Sequence, residues 1–205
     1  MLRHRREFLG LLAGACASPA LAQIPPPAMR AQASSPEMSR PTAYAFAFKR
    51  LEGGDLRLAD HAGKPILVVN TASLCGFTPQ YDGLQQLWTR FREQGLLIVG
   101  VPSNDFGGQE PGDAGEIDHV AHQQYGVSFP LAEKVAVKGA AAHPFFKWAA
   151  AERPLDVPRW NFHKYLVGRD GYIADVFAEA VEPSDTRVKT AIARALSQTA
   201  PERSG

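Results

Sequence analysis

The chain has 205 residues, with 22 basic and 21 acidic side chains, a formal net charge of +1 and 45% hydrophobic residues. Because the charge is nearly balanced, we expect neither nucleic acid nor an anionic membrane surface as the main partner. The length and apolar content suit one folded domain with its own hydrophobic core.

The first 22 residues have the pattern of a secretory signal peptide. Residues 5–9 read RREFL and resemble the twin-arginine export motif of bacteria. An apolar run over 8–15 follows, and the small residues at 20–22 form a cleavage site. We therefore expect export to the periplasm or beyond. The apolar run is too short for a stable membrane span.

The two cysteines of the chain have different expected fates. Cys16 would leave with the signal peptide, unless it is a lipid anchor. A lipobox has an aliphatic residue three positions before its cysteine, whereas Leu12 lies four positions before Cys16. This spacing disfavours the lipid anchor. Cys75 would then be the only cysteine left, so no internal disulfide can form. It is either a buried small hydrophobe or a reactive thiol.

A flexible leader is predicted over 23–42, which is rich in Pro, Ala, Ser and Gln, and the folded domain over 43–205. Alternating apolar residues on either side of Gly53-Gly54 predict a β-hairpin. Apolar runs at 66–69 and 96–101 predict two strands buried on both faces. Between them the spacing predicts a helix, and two such strands joined by a helix should be parallel. The apolar residues that carry this helical spacing are Leu84, Leu87, Trp88 and Phe91.

The second half of the domain continues the alternation of helices and strands. Helices are predicted around 117–121 and 145–148, and a closing amphipathic helix over 188–196. Between the last two helices, strands at 165–167 and 172–177 flank a turn and predict an antiparallel hairpin. This order predicts an α/β protein with a thioredoxin-like fold, in which helices flank a central mixed β-sheet.

The sequence around Cys75 indicates a reactive thiol and not a cysteine that only packs in the core. It follows the first buried strand, where a helix is expected to begin, and backbone N–H groups and the helix dipole there favour the nucleophilic thiolate. Thr78 occupies the place where a Cys-x-x-Cys motif has its second sulfur. A local disulfide is therefore excluded.

Four ordered blocks of sequence surround this cysteine: VNTASLCGFTPQY at 69–81, NDFGGQEPG at 104–112, GVSFP at 126–130 and WNF at 160–162. Together they resemble the glutathione peroxidase family in its cysteine form. The resemblance implies a thiol-dependent peroxidase that reduces hydrogen peroxide or organic hydroperoxides, without a metal or an organic cofactor. It also implies a catalytic set consisting of Cys75, Gln109, Trp160 and Asn161.

The residue types of this set fit the reaction. The thiolate must attack one peroxide oxygen while the departing oxygen receives a proton. Two side-chain amides and an indole are N–H donors that stabilise developing charge without acting as bases. The expected first product is a sulfenic acid on Cys75.

The resemblance also bears on the reductant and on assembly. Many cysteine-type relatives have a resolving cysteine in the helix after the Gln-Glu-Pro-Gly block, but residues 116–125 contain no sulfur here, and Ser103 stands where relatives often have Cys. Glutathione or a thioredoxin-like dithiol protein must then reduce the sulfenic acid directly. The stretch 139–158 lacks the insertion that supports subunit contacts in tetrameric relatives, which implies a monomer.

Two other functions stay open at this point. One is a thiol–disulfide redox partner on the same fold, which the missing second sulfur disfavours. The other is a non-enzymatic binding module or peroxide sensor, in which Cys75 oxidises without rapid turnover.

Several polar residues near the blocks are interpreted as ordinary surface. His119 and His122 have helical spacing, but no third metal ligand is close in sequence. The remaining members of this group are Arg159, Lys164, Lys138 and His163.

Overall fold

The structure, a computed structural model, describes residues 40–199. The predicted signal peptide at 1–22 and most of the predicted leader at 23–42 lie outside the described residues. Among the described residues, no helix is both long and apolar enough to cross a membrane.

The described chain opens with the predicted hairpin. Strands β1 (Ala47–Lys49) and β2 (Asp55–Arg57) pair antiparallel, and Gly53 and Gly54 between them have φ values of +96° and +83°. The strands are shorter than the alternation suggested, because Tyr44 lies in a 3₁₀ turn before them. The hairpin itself is confirmed.

A four-stranded mixed sheet forms the centre of the fold. Its strands are β3 (Ile66–Thr71), β4 (Leu97–Pro102), β5 (Lys164–Val167) and β6 (Ile173–Phe177), in the order β4-β3-β5-β6. β3 is parallel to β4 and antiparallel to β5, and β5 is antiparallel to β6. The predicted parallel crossover and the predicted C-terminal hairpin are both confirmed.

Four α-helices flank this sheet: α1 (Gln80–Phe91), α2 (Ala114–Asp118), α3 (Pro144–Glu152) and α4 (Thr186–Ser197). A π-helical turn (His119–Gln124) continues α2. The helical patterns in the sequence therefore predicted all four positions. The result is the expected α/β architecture.

Alternate residues of β3 supply the two halves of the core. Leu67 and Val69 face a cluster that contains the apolar faces of α1 and α4. Ile66 and Val68 face the other cluster, which contains the aromatic residues of α3 and of β1. Since successive side chains of a strand point to opposite faces, one strand packs against both helical layers.

Strand direction brings three loops to one edge of the sheet. β3 and β4 run in the same direction, so the loops that follow them, with Cys75 and Gln109, leave from the same edge. β5 runs in the opposite direction, so the segment that precedes it, with Trp160 and Asn161, reaches that edge too. The fold thus collects all four predicted site residues.

Lys164 is buried, contrary to its interpretation as a surface residue, because β5 is covered on both faces. Its ammonium group donates hydrogen bonds to the carbonyls of Phe162 (2.7 Å) and Val181 (2.8 Å). Burial lowers the pKa of Lys164 to about 7, and the charges of Glu182 and Glu179 oppose that shift.

Lys164→Met should change how stability depends on pH. A lysine with its ordinary pKa of 10.5 keeps its proton in the unfolded chain at a pH where the folded protein, with a pKa of about 7, has lost it. Between these values the unfolded state binds more protons, so stability rises with pH. The free energy of unfolding relative to Lys164→Met should therefore increase over this window, by about 1.4 kcal/mol per unit of pKa difference.

Urea denaturation at several pH values measures this difference. Lys147→Met, at an exposed lysine of α3, is the matched control for the loss of one lysine. A difference between wild type and Lys164→Met that stays constant with pH would contradict the lowered pKa.

Candidate active site

Cys75 lies in the turn between β3 and α1 and is 7% exposed. The backbone N–H of Phe77 donates to its sulfur at 3.4 Å. The helix begins at Gln80, later than expected, and successive turns connect the cysteine to it. An N–H donor toward the sulfur is therefore present, but it belongs to the turn before the helix.

Thr78 holds the Cys75 loop in shape. Its hydroxyl accepts the Cys75 N–H at 3.1 Å and lies 2.9 Å from the carbonyl of Ala72 and 2.7 Å from that of Cys75, to one of which it donates. Sequence reasoning noted only that Thr78 replaces a second sulfur. The available signal was a Thr three residues after the cysteine, which favours a side-chain-to-backbone turn.

Gln109 lies in the loop after β4, directly beside the cysteine loop. Its carbonyl accepts the N–H of Leu74 at 3.0 Å. Gly107 in the same loop has a φ of +65°, and a Cβ there would lie 3.3 Å from the Trp160 ring. Glycine at this position therefore permits both the left-handed backbone and the close approach of the indole.

The other two predicted residues complete a cluster with Gln109. Asn161 is fully buried, and its amide donates to the side-chain oxygen of Gln109 at 3.0 Å. Trp160 packs against Phe106, with 6.0 Å between ring centroids, and against the apolar cluster that contains Cys75. The structure thus gathers the three predicted hydrogen-bonding residues next to the cysteine loop.

Two N–H donors of this cluster are available to an added molecule. Within residues 40–199, neither the indole N–H of Trp160 nor the amide nitrogen of Gln109 donates to a protein acceptor. Asn161 occupies the oxygen of the Gln109 amide, which leaves its nitrogen for another acceptor. Such donors can stabilise negative charge that develops on an oxygen or a sulfur.

The ionisable groups around the cluster favour neutral forms. Burial and the charge of Lys164 lower the pKa of His163 to about 4, so its imidazole is uncharged at neutral pH. His163 is only 4% exposed, and its interpretation as a surface residue is wrong. Burial raises the pKa of Glu110, which follows Gln109, although a hydrogen bond from Ser73 and the charge of Lys134 oppose the shift.

The two histidines considered as metal ligands pair with neighbours instead. His119 contacts Gln123 at 2.9 Å, and His122 contacts Asp118 at 2.6 Å. The described part of the chain contains no group of three or more His, Cys, Asp or Glu residues placed to hold a metal ion.

The remaining basic candidates differ in position. Lys138 lies over the Phe106 ring, with its nitrogen 4.5 Å from the centroid, and so approaches the site from one side. Arg159 is exposed. Ser103, where relatives often have cysteine, is fully buried at the end of the β4 region.

Comparison with known proteins decides the family. The family model for glutathione peroxidase matches residues 43–150, more than half of the chain. The chain belongs to the glutathione peroxidase family. It is accordingly a thiol-dependent peroxidase, and the matched region contains both Cys75 and Gln109.

Individual glutathione peroxidase relatives agree with this assignment. A hydroperoxy fatty acid reductase of Synechocystis is 45% identical over 153 residues, which cover 70% of this chain and 90% of the relative. A glutathione peroxidase-like peroxiredoxin of Chlamydomonas reinhardtii is 40% identical over 150 residues, which cover 72% of this chain and 93% of the relative.

Solved structures support the glutathione peroxidase fold. The crystal structure of Trgpx in apo form aligns with a TM-score of 0.65 and 33% identity, covering 80% of this chain and 100% of the other. A thiol:disulfide interchange protein of Chlorobium tepidum aligns with a TM-score of 0.56 at 16% identity, covering 74% and 92%. The second match concerns the fold alone and confirms that it is thioredoxin-like.

Gly107→Ala should slow peroxide reduction by this glutathione peroxidase, since the added methyl group displaces the Trp160 ring. We expect a rate loss of about tenfold, because small misplacements of reacting groups are costly. Stopped-flow measurement of thiol oxidation provides the test.

Gly54→Ala is the matched control for Gly107→Ala. Gly54 also has a positive φ, of +83°, but nothing lies within 4 Å of a Cβ there. The alanine substitution at Gly54 therefore imposes similar backbone strain without contacting Trp160. Equal rate losses in the two variants would show that strain, rather than the indole position, is responsible.

Proposed function

We propose that Cys75 is the peroxidatic residue and that Gln109, Trp160 and Asn161 are its hydrogen-bonding partners. The observation that carries the proposal is the cluster of available N–H donors beside a cysteine whose sulfur already accepts an N–H. Thr78, in place of a second sulfur, supports peroxide reduction over thiol–disulfide exchange as the main reaction.

In the first step the Cys75 thiolate attacks one peroxide oxygen and the O–O bond breaks. The sulfur becomes a sulfenic acid, and the other oxygen leaves as hydroxide or alkoxide and takes a proton to become water or an alcohol. The Gln109 amide and the Trp160 indole stabilise the charge on the departing oxygen. Asn161 orients Gln109 through its 3.0 Å hydrogen bond.

A second molecule must complete the cycle, since Cys75 is the only cysteine among residues 40–199. An external thiol attacks the sulfenic acid, releases water and forms a mixed disulfide. A second thiol then releases the Cys75 thiolate and an oxidised donor disulfide. Glutathione and a thioredoxin-like dithiol protein are the two candidate donors.

A cavity of about 410 Å³ beside the cysteine loop favours organic hydroperoxides as well as hydrogen peroxide. Leu74, Pro111 and Val120 give it apolar walls, and Leu74 is 65% exposed. The similar Synechocystis protein is described as a hydroperoxy fatty acid reductase. Leu74 and Glu110, which line the cavity, are the chain neighbours of Cys75 and Gln109.

Stoichiometric oxidation without a donor tests the proposal. The full chain carrying Cys16→Ser is mixed with one equivalent of hydrogen peroxide, and the loss of thiol and of peroxide is timed. We expect rapid one-to-one consumption, no reaction in Cys75→Ser, and a rate about 10²-fold lower in Gln109→Ala because one transition-state donor is lost. Gln86→Ala, at an exposed glutamine of α1, is the control.

Oxidation of the wild-type thiol no faster than that of a free cysteine would refute the proposed catalytic set. If oxidation is fast, the oxidised protein is mixed with glutathione or with a reduced thioredoxin-like protein. Mass spectrometry then identifies which donor forms the mixed disulfide. Fast oxidation with slow reduction by both donors would favour the peroxide sensor.

We further propose that the protein is exported and acts as a monomer. The arginine pair, apolar run and small-residue site within residues 1–22 support twin-arginine export. The short stretch at 139–158 supports the monomer, which light scattering would measure. The reductant must then be present outside the cytoplasm.

Replacement of both arginines, Arg5→Lys with Arg6→Lys, should abolish export, because twin-arginine signals depend on the pair. Cell fractionation should find the variant in the cytoplasm with its signal peptide, residues 1–22, still attached. Unchanged export would contradict the twin-arginine route, and palmitate labelling that depends on Cys16 would establish the lipoprotein alternative.

A further inference from the structure

The segment that carries Trp160 and Asn161 precedes β5 and is not itself part of a strand or helix. Phe162, within this segment, has a φ of +67°, the only positive φ of a non-glycine residue among residues 40–199. A side chain makes this conformation unfavourable, so the surroundings must hold it. Something outside the segment therefore determines how Trp160 and Asn161 are presented.

Asn70, on β3, makes the contacts that hold this segment. Its side-chain oxygen accepts the N–H of His163 at 3.0 Å, and its side-chain nitrogen donates to the carbonyl of Trp160 at 3.0 Å. Its backbone carbonyl accepts the N–H of Phe162 at 2.6 Å, and its backbone N–H donates to the carbonyl of His163 at 3.3 Å.

Three of these four hydrogen bonds depart from regular strand pairing, and together the four form a clamp; the bond from the Asn70 N–H to the His163 carbonyl is the one that regular pairing would also make. The β3–β5 ladder ends at the pair Val69 and Lys164, and Asn70 would next face His163. In a regular pair the backbone carbonyl of Asn70 would accept the His163 N–H. The side chain accepts it instead, and the backbone carbonyl takes the N–H of Phe162, whose left-handed conformation turns it toward Asn70.

The asparagine side chain meets the requirements of this position. The side chain is fully buried, and the clamp needs one acceptor and one donor on it. An aspartate has no donor for the Trp160 carbonyl, and a threonine hydroxyl is too short to reach both partners. An apolar residue would leave a buried N–H and a buried carbonyl without partners, which is costly.

We propose that Asn70 is a positioning residue for peroxide reduction, which fixes Trp160 and Asn161 against Gln109 by clamping the segment 160–163. This rests on the proposed function, because those three side chains are the proposed donors. Asn70 touches none of the reacting atoms. It acts through Trp160 and through Asn161, whose amide in turn fixes the Gln109 side chain.

Two variants on the full chain with Cys16→Ser test this role. Asn70→Thr fits a strand and removes the two side-chain bonds of the clamp, whereas Asn70→Asp keeps the acceptor for His163 and places a carboxylate oxygen where the donor for Trp160 was. We expect the rate of thiol oxidation by hydrogen peroxide to fall about ten- to hundredfold. Thr71→Val, which removes a buried hydroxyl from the next residue of β3, should retain the wild-type rate.

A mutant cycle separates positioning from a merely structural role. If Asn70 acts through Trp160 and Asn161, then Asn70→Thr should cost little further rate in a chain that already carries Trp160→Phe and Asn161→Ala. Losses that multiply when the three changes are combined would overturn the proposal, and so would a wild-type rate in folded Asn70→Asp or Asn70→Thr. If one variant fails to fold, the other carries the cycle.

A measurement on the unmodified protein keeps the proposal testable without any variant. The amide protons of Phe162 and His163 should exchange with solvent as slowly as those of β3, because Asn70 accepts both. Rapid exchange would overturn the clamp. Slow peroxide oxidation of the wild type itself would instead refute the proposed function, so the two failures are distinguishable.

Discussion

The pairing of β3 with β4 on one side and with β5 on the other is the constraint on which the site depends. β4 is parallel to β3, so the loops that follow these two strands begin at the same edge of the sheet. β5 is antiparallel to β3, so β5 begins at that edge as well. Residues 34 or more positions apart in the chain, such as Cys75 and Gln109, thereby become neighbours. Because all the strand residues of β3 are buried, this edge is held by the whole core and not by the loops themselves.

The hydrogen-bonding cluster of Gln109, Trp160 and Asn161 is built from uncharged side chains. Amides and an indole present N–H groups, and His163, two residues after Asn161, is neutral because burial opposes its protonation. Neutral donors stabilise a thiolate or a departing oxygen without competing for its proton. A charged group within the cluster would interact electrostatically with the thiolate, and the reaction rate would then also depend on the protonation of that group.

The same thioredoxin-like fold also supports thiol–disulfide exchange, as the alignment with an interchange protein illustrates. Which chemistry it supports is decided by few atoms. Thr78 has a hydroxyl where a second sulfur would be, and that hydroxyl stabilises the loop around Cys75. Cys75 is the only cysteine among residues 40–199.

The sequence by itself determined the elements, the family resemblance and the four candidate residues, because buried strands, amphipathic helices and the motif around Cys75 are local patterns. It did not reveal that Lys164 and His163 are buried, since basic and imidazole side chains are usually found at the surface. Nor did it reveal the role of Asn70, whose partners lie about 90 residues away. Only the tertiary structure decided these points, because burial and long-range hydrogen bonds arise from strand pairing, which no local pattern records.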